Sequence, residues 1–231
     1  MSRVLVIGDT HCPAMLDGYV PFLQEMQDQW DTDTVVHIGD LVDWASISYH
    51  PKAPSLKNAD AEFDRAWSQV REIAAAFPEA NWLIGNHDSL TERQATDLGL
   101  PLRVLKDYKD LWELPGWTVT PRFKTLEIDG VRYSHGETGR GGVFPAAMQA
   151  ADSFQSTVIG HFHAAAGVLF KANDNARYFG MNVGCGVDYH TAAMQYGVKF
   201  ARKPVLGCGV VIDGTTAIFE PMPLSNRMGV L

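Results

Sequence analysis

Five short apolar runs in this chain end on clusters of residue types that bind ions. Val4-Leu5-Val6-Ile7 runs into Gly8-Asp9-Thr10-His11, Thr34-Val35-Val36-His37-Ile38 into Gly39-Asp40-Leu41-Val42-Asp43, and Trp82-Leu83-Ile84 into Gly85-Asn86-His87-Asp88. Further on, residues 131–133 lead to Ser134-His135-Gly136-Glu137, and Thr157-Val158-Ile159 to Gly160-His161-Phe162-His163. Runs this short and this rich in β-branched residues read as strands buried on both faces. In open α/β sheets, ligands bind beyond the C-terminal ends of the strands. The chain is therefore constrained to an α/β fold that gathers its polar groups at one end of a sheet.

The intervening segments fit that frame. Tyr19, Val20, Phe22, Leu23, Met26 and Trp30 recur at helical spacing, giving strand, helix, strand, the unit of a parallel sheet. A second helix is expected from a cap at Asn58 or Asp60, with Phe63, Trp67, Val70, Ile73, Ala74 and Phe77 as its buried stripe and Pro78 as its stop. Residues 81–84 form a third strand and 88–98 a short helix, while 101–121 resist assignment. Residues 124–128 and 131–134 form a hairpin, since Asp129-Gly130 suits a type I′ turn. A helix over 144–151 and strands over 167–170, 177–181, 206–212 and 216–220 complete the pattern, with a second hairpin turn at Asp213-Gly214. The whole reads as one domain over residues 1–231, α/β in its first half and strand-rich in its second. Residues 44–58 are a loop insertion carrying Trp44, Tyr49, His50 and Lys52. Loops of this length in compact domains are commonly functional, and this one starts one residue after Asp43, so it is expected to flank the site.

Composition narrows the partners. A net charge of −8 argues against an extended duplex nucleic-acid footprint, which needs a basic surplus. Cys12, Cys185 and Cys208 are odd in number and lack CxxC spacing, which points to a reducing cytoplasm and away from a disulfide framework. No basic-then-apolar leader opens the chain, and no apolar run approaches the roughly 20 residues that cross a bilayer. A cytoplasmic protein with no membrane partner is expected.

The clusters themselves suit a metal. In an extended loop, residues i and i+2 point the same way, so Asp9 with His11, and His161 with His163, each present two donors together. Asp40 adds an oxygen able to bridge two cations, Asn86 an amide oxygen, and His135 a further nitrogen. Mixed N/O sets of this kind suit Mn, Fe, Zn, Ni or Co better than Mg or Ca. Taken singly, each piece has a plainer reading: Asp9 as a cap, Gly39-Asp40 as a turn, His135 as a core histidine. Five such clusters, each at the end of an apolar run, are improbable as independent turns.

In this order, Asp-x-His, Gly-Asp-x-x-Asp, Gly-Asn-His-Asp, His and Gly-His-x-His, the motifs resemble those of the calcineurin-like metallophosphoesterase superfamily, across residues 9–163. The stretches 181–185 and 206–214 are similar to phage- or prophage-encoded members. The resemblance implies an α/β fold of two mixed β-sheets packed face to face and flanked by helices. It also implies two divalent transition-metal ions, with Mn favoured. The first would take Asp9, His11, Asp40 and His163, the second Asp40, Asn86, His135 and His161, with Asp40 bridging.

The activity so implied is hydrolysis of a phosphoester by hydroxide held between the cations. His87 adjoins Asn86 without being a ligand, and an imidazole suits the role of general acid toward the leaving group. By similarity, Asp43 is its orienting partner. One position departs from the family's Ser/Thr protein phosphatases: Trp44 stands where they carry a phosphate-gripping Arg. Arg140, in Gly139-Arg140-Gly141-Gly142, is a candidate replacement, with a solvated loop arginine as the alternative. His50 and Trp44 are further candidates to face substrate. The uncharged, aromatic-rich stretch after Asp43 favours a phosphodiester or a nucleotide over a monoester. A nuclease and a non-catalytic scaffold are the alternatives.

Overall fold

The fold is described from a computed structural model covering residues 1–50, 52, 54–192, 194 and 201–223. In chain order the elements are β1 (Arg3–Ile7), α1 (Tyr19–Trp30), β2 (Thr34–His37), α2 (Ala59–Ala76), β3 (Ala80–Leu83), α3 (Leu90–Asp97), α4 (Tyr108–Leu111), β4 (Trp117–Thr120) and β5 (Leu126–Ile128). They continue with β6 (Val131–Ser134), α5 (Pro145–Ser153), β7 (Thr157–Ile159), β8 (Ala166–Ala172), β9 (Arg177–Val183), β10 (Gly207–Ile212) and β11 (Thr216–Pro221).

Two mixed sheets result. One has the order β11-β10-β1-β2-β3-β4 and the other β5-β6-β7-β9-β8. Strands β1 to β4 run parallel, with β10 antiparallel to β1. Strands β6, β7 and β9 also run parallel, with β5 and β8 antiparallel at the edges. Strand alternation divides the core between the layers. Val4, Val6, Val36 and Leu83 meet Val131, Tyr133, Val158, Phe179 and Met181 between the sheets. Leu5, Ile7, Val35 and Trp82 instead pack under α1 and α2, against Leu23, Met26, Val70 and Ile73. Each such side chain, fully buried, contributes about 1.5–3 kcal/mol. This is the α/β arrangement of two face-to-face mixed sheets with flanking helices that the motifs imply.

Helix α2 starts as its sequence predicts, with the Asn58 side chain accepting the Ala61 N–H at 3.0 Å. Its buried face differs from expectation. Glu62, Ala66, Val70 and Ile73 line it, while Trp67 lies exposed on the surface. Glu62 earns its buried position by accepting the Ala45 and Ser46 N–H groups at 2.6 and 2.8 Å, which anchors the start of the 44–58 loop. That loop contains two short 3₁₀ turns, Ala45–Ile47 and Pro54–Leu56. The unassigned stretch 101–121 supplies β4, a fourth parallel strand, with the buried Trp117 indole N–H donating to the Phe77 carbonyl at 2.9 Å. Strand β4 matters for the site, because it delivers residues 121–123 to the same end as Gly85 and Asn86.

Candidate metal centre

Parallel β1, β2 and β3 bring Asp9, Asp40 and Asn86 to one end of the first sheet, and β6 and β7 bring His135, His161 and His163 to meet them. Two groups of donors form. Asp9, His11 and His163 place ligand atoms within 4.8 Å of one another, and so do Asp40, His135 and His161. Asp40 lies between them: its Oδ2 is 3.6 Å from His11 Nε2 and 3.2 Å from His135 Nε2. Asn86 Oδ1 approaches His135 Nε2 at 3.0 Å. His11, Asp40 and His87 also come within 4.8 Å.

The local backbone is shaped around these carboxylates. A Cβ on Gly85 would sit 2.2 Å from Asp40 Oδ1, and one on Gly160 would sit 2.3 Å from Asp9 Oδ1. Only glycine admits the carboxylates at these two strand ends. His11, Asp40 and His161 take φ angles of 46°, 49° and 63°. Left-handed backbone at non-glycine residues carries strain that clusters at functional sites.

The donor set fits divalent cations. Asp9 Oδ1 is fully buried and has no hydrogen-bond partner among the described residues, although an orphaned carboxylate oxygen is costly without a cation or donor. His11 Nε2 and His163 Nε2 face each other at 3.2 Å. The distal ring nitrogens are engaged from behind. His11 Nδ1 lies 2.8 Å from Asp43 Oδ1, and His135 Nδ1 lies 3.2 Å from the Ile38 carbonyl. Such partners fix the tautomer that turns the Nε2 lone pair toward a metal. Cys12 and Cys185, which adjoin the Asp9 loop, are buried, which pushes each thiol up to about 12 and removes both as thiolate ligands at neutral pH.

His87 is oriented differently. Its Nδ1 lies 2.7 Å from the Asp43 carbonyl oxygen and 3.0 Å from Asp43 Oδ1, and its backbone N–H donates to Asp40 Oδ1 at 2.7 Å. Burial alone would depress its pKa. The carboxylates of Asp40 and Asp43 outweigh burial and raise it to about 10. Burial raises and the His11 and His87 contacts lower the Asp43 carboxyl, with the net effect of holding it well below its ordinary value.

His135 follows the same logic, with burial opposed and outweighed by Asp40, to reach about 10. A raised histidine pKa contributes stability that is complete below the ordinary value of 6.5 and is lost as pH climbs through 10. Metal ligation needs the same nitrogen unprotonated. Chelated protein is therefore expected to lose melting temperature steadily from pH 6.5 to 10, whereas Mn-loaded protein holds its own across that window. A flat melting profile for the chelated protein would contradict this account of His135.

Asp88 has a role that the reading of it as one more strand-end carboxylate leaves out. It turns back into the core and accepts from the N–H groups of Val42 at 3.1 Å and Gly85 at 2.9 Å, and from the Trp82 indole at 3.2 Å. It thereby ties the loops carrying Asp40 and Asn86 to each other. Burial, with the charge of Asp40 adding to it, pushes its carboxyl up to about 7. Asp88→Ala would strand three buried donors, at about 1–3 kcal/mol each. The expected result in calorimetry is a melting temperature lower by at least roughly 6 °C, with a smaller fall for Asp88→Asn. The only sequence signal for this role is the spacing of Trp82, Gly85 and Asp88 around one turn.

The remaining candidates lie elsewhere. Trp44 does not face the site: it is buried against Phe63 and Trp112, with ring centroids 6.1 and 5.6 Å away, because the core takes up its large apolar ring. Arg140 is exposed and ion-paired with Asp152 of α5. His50 is exposed on the 44–58 loop. His37, the histidine of β2, is fully buried beside the Thr10 hydroxyl, and burial lowers it to about 3, so it is a neutral core residue.

The chain is 29% identical to the gene 54 protein of Mycobacterium phage D29 over 183 residues, 70% of this chain and 69% of that one. Among solved structures, Vps29 of Cryptosporidium parvum aligns at 13% identity with a TM-score of 0.45, over 95% of this chain and 98% of that one. YfcE, a phosphoesterase from E. coli, aligns at 14% identity with a TM-score of 0.38, over 90% of this chain and 87% of that one. The family model for calcineurin-like phosphoesterases matches residues 2–179, and the chain belongs to that family.

Proposed function

We propose that the protein hydrolyses a phosphate ester with two divalent transition-metal ions, Mn favoured, and that a phosphodiester or nucleotide is preferred to a monoester. The observation that carries this reading is the placement of Asp40 between two separate His/Asp donor groups, with His87 held at their edge by Asp43. Asp9, His11, Asp40 and His163 would hold one ion, and Asp40, Asn86, His135 and His161 the other. Bound there, such ions supply Lewis acidity toward a phosphoryl oxygen and lower the pKa of water toward neutrality.

The chain's own residues supply the rest. With Nδ1 turned to Asp43, His87 leaves Nε2 as the end that can face substrate. Asp43, with Oδ1 3.0 Å from Nδ1, favours the protonated ring, the state required of a general acid. The proton passes from Nε2 to the leaving oxygen as the P–O bond breaks, and Asp43 stabilises the ring's charge beforehand. Asp43 also holds His11, so one carboxylate positions both a ligand and the acid. The intact His87–Asp43 pair favours turnover over a purely structural scaffold. A reducing, cytoplasmic setting accords with three free, buried cysteines, and no helix among the described residues is long and apolar enough to cross a membrane. The test is an assay of Mn-loaded protein on two chromogenic substrates, a nitrophenyl monoester and a bis-nitrophenyl diester. Turnover of the diester in preference to the monoester is expected, and absence of turnover on both would overturn the reading.

A further inference from the structure

A cavity of about 350 Å³ opens beside His135, on the side where β4 ends and β5 begins. Its wall is polar, with Thr125, Ser134 and Thr138 among the residues lining it. Two acids also line it, and both are already neutralised. Glu137 is held by a two-pronged contact from Arg122, at 2.8 and 2.5 Å, and Asp152 is paired with Arg140. Two cations, Lys124 and Arg132, line the same cavity, and neither is in an ion pair among the described residues. Two cations outside any ion pair among the described residues thus line the cavity on a chain of net charge −8. At its rim stands Phe123, 65% exposed, on left-handed backbone at φ 66°, with the Arg122 guanidinium 4.4 Å from its ring centroid. A bulky aromatic residue held exposed on strained backbone is a recognised mark of a ligand site.

From this we infer that the cavity is a subsite for the nucleotide next to the scissile phosphate. The aromatic base stacks on Phe123, and a second phosphate, one nucleotide removed from the first, lies between Lys124 and Arg132. The ligand is a nucleotide bearing two separated phosphates, as in a short single strand. Each feature has a physical reason. A π-face on an exposed ring accepts any base, for about 1–3 kcal/mol per base. Cations without carboxylate partners in a polar recess are available to a phosphate at no cost in broken ion pairs. The proximity to His135 places the scissile group at the metal ligands when the second phosphate is seated. The inference rests on the phosphoesterase reading but names what that reading leaves open, the leaving or flanking group.

The test is equilibrium binding by calorimetry to the full-length Mn-loaded protein, with thymidine 5′-monophosphate and thymidine 3′,5′-bisphosphate as probes. At least tenfold tighter binding of the bisphosphate is expected, with the gap closed in the Lys124→Ala/Arg132→Ala double variant. Phe123→Ala should weaken both nucleotides and leave inorganic phosphate unaffected. Equal affinity of the wild type for the two nucleotides, or a preference that survives the double substitution, would overturn the subsite. A circular dichroism melt of each variant separates lost binding from lost folding, and Lys124→Arg, which keeps the charge, should retain the preference even if the alanine variant is unstable. Turnover of bis-nitrophenyl phosphate by the wild type, a substrate with neither base nor second phosphate, tests the phosphoesterase reading separately.

Discussion

Asp40→Asn is expected to abolish metal binding at both positions and to reduce kcat/KM on a chromogenic diester by well over about 100-fold, more than the 10–100-fold that loss of a ligand's outer partner costs. The substitution is nearly isosteric. It keeps an oxygen to accept the His87 backbone N–H, so the local loop has no reason to collapse. What it removes is the negative charge that both donor groups share, 3.6 Å from His11 Nε2 and 3.2 Å from His135 Nε2. His163→Ala makes the informative contrast. His163 belongs to the group with Asp9 and His11 and has no place in the group with Asp40, His135 and His161. It should therefore release one ion and retain the other, with turnover lost in both variants. Elemental analysis after buffer exchange separates the two outcomes. A full metal complement with retained activity in either variant would remove that residue from the ligand set.

His87→Ala is expected to keep both ions, since its ring is turned toward Asp43 and Asn86 supplies the adjacent donor. Its rate should fall by roughly 10²–10⁴ on a substrate with a poor leaving group, the usual scale for general acid catalysis. With nitrophenolate, which needs little protonation, the loss should be much smaller. A histidine that only packed behind the ligands would give equal losses for both leaving groups together with weakened metal binding. Asp43→Asn should not mimic His87→Ala, because Asp43 Oδ1 lies 2.8 Å from His11 Nδ1 as well as 3.0 Å from His87 Nδ1. Weakened affinity for the ion near His11 is expected alongside the leaving-group effect. Leaving-group dependence without any change in metal affinity would mean that Asp43 serves His87 alone.

Much of the architecture is legible in the chain because the signals are local. Apolar runs of three to five residues closed by Gly-Asp or Gly-His mark β1, β2 and β7 to within a residue or two, and Asp-Gly pairs mark both hairpins. The donor types are legible for the same reason, since each sits at the end of such a run. Strand β4 is not, because Trp117-Thr118-Val119-Thr120 is four residues long, sits among Trp, Pro and Gly, and is stabilised by pairing with β3 and by the contact from Trp117 to Phe77. Trp44 and Trp67 exchange their expected places for a similar reason. Helical spacing shows that one face of α2 is buried but does not reveal that Glu62, satisfied by two loop N–H groups, replaces an aromatic residue there. The work of Asp88 is only half visible locally, because Trp82 and Gly85 share its turn while its third donor, Val42, comes from another loop. The pairing of Arg122 with Glu137, which leaves Lys124 and Arg132 as the unpaired cations of their cavity, joins residues fifteen positions apart and depends on where β4 ends.

The most direct test of the central claim is to count and place the metal ions. Crystals of Mn-loaded protein, measured at the Mn absorption edge, should give two anomalous peaks per chain, one bounded by Asp9, His11 and His163 and the other by Asn86, His135 and His161, with Asp40 reaching both. A single peak, or two peaks of which neither touches Asp40, would contradict the two-ion site on which the proposed chemistry rests.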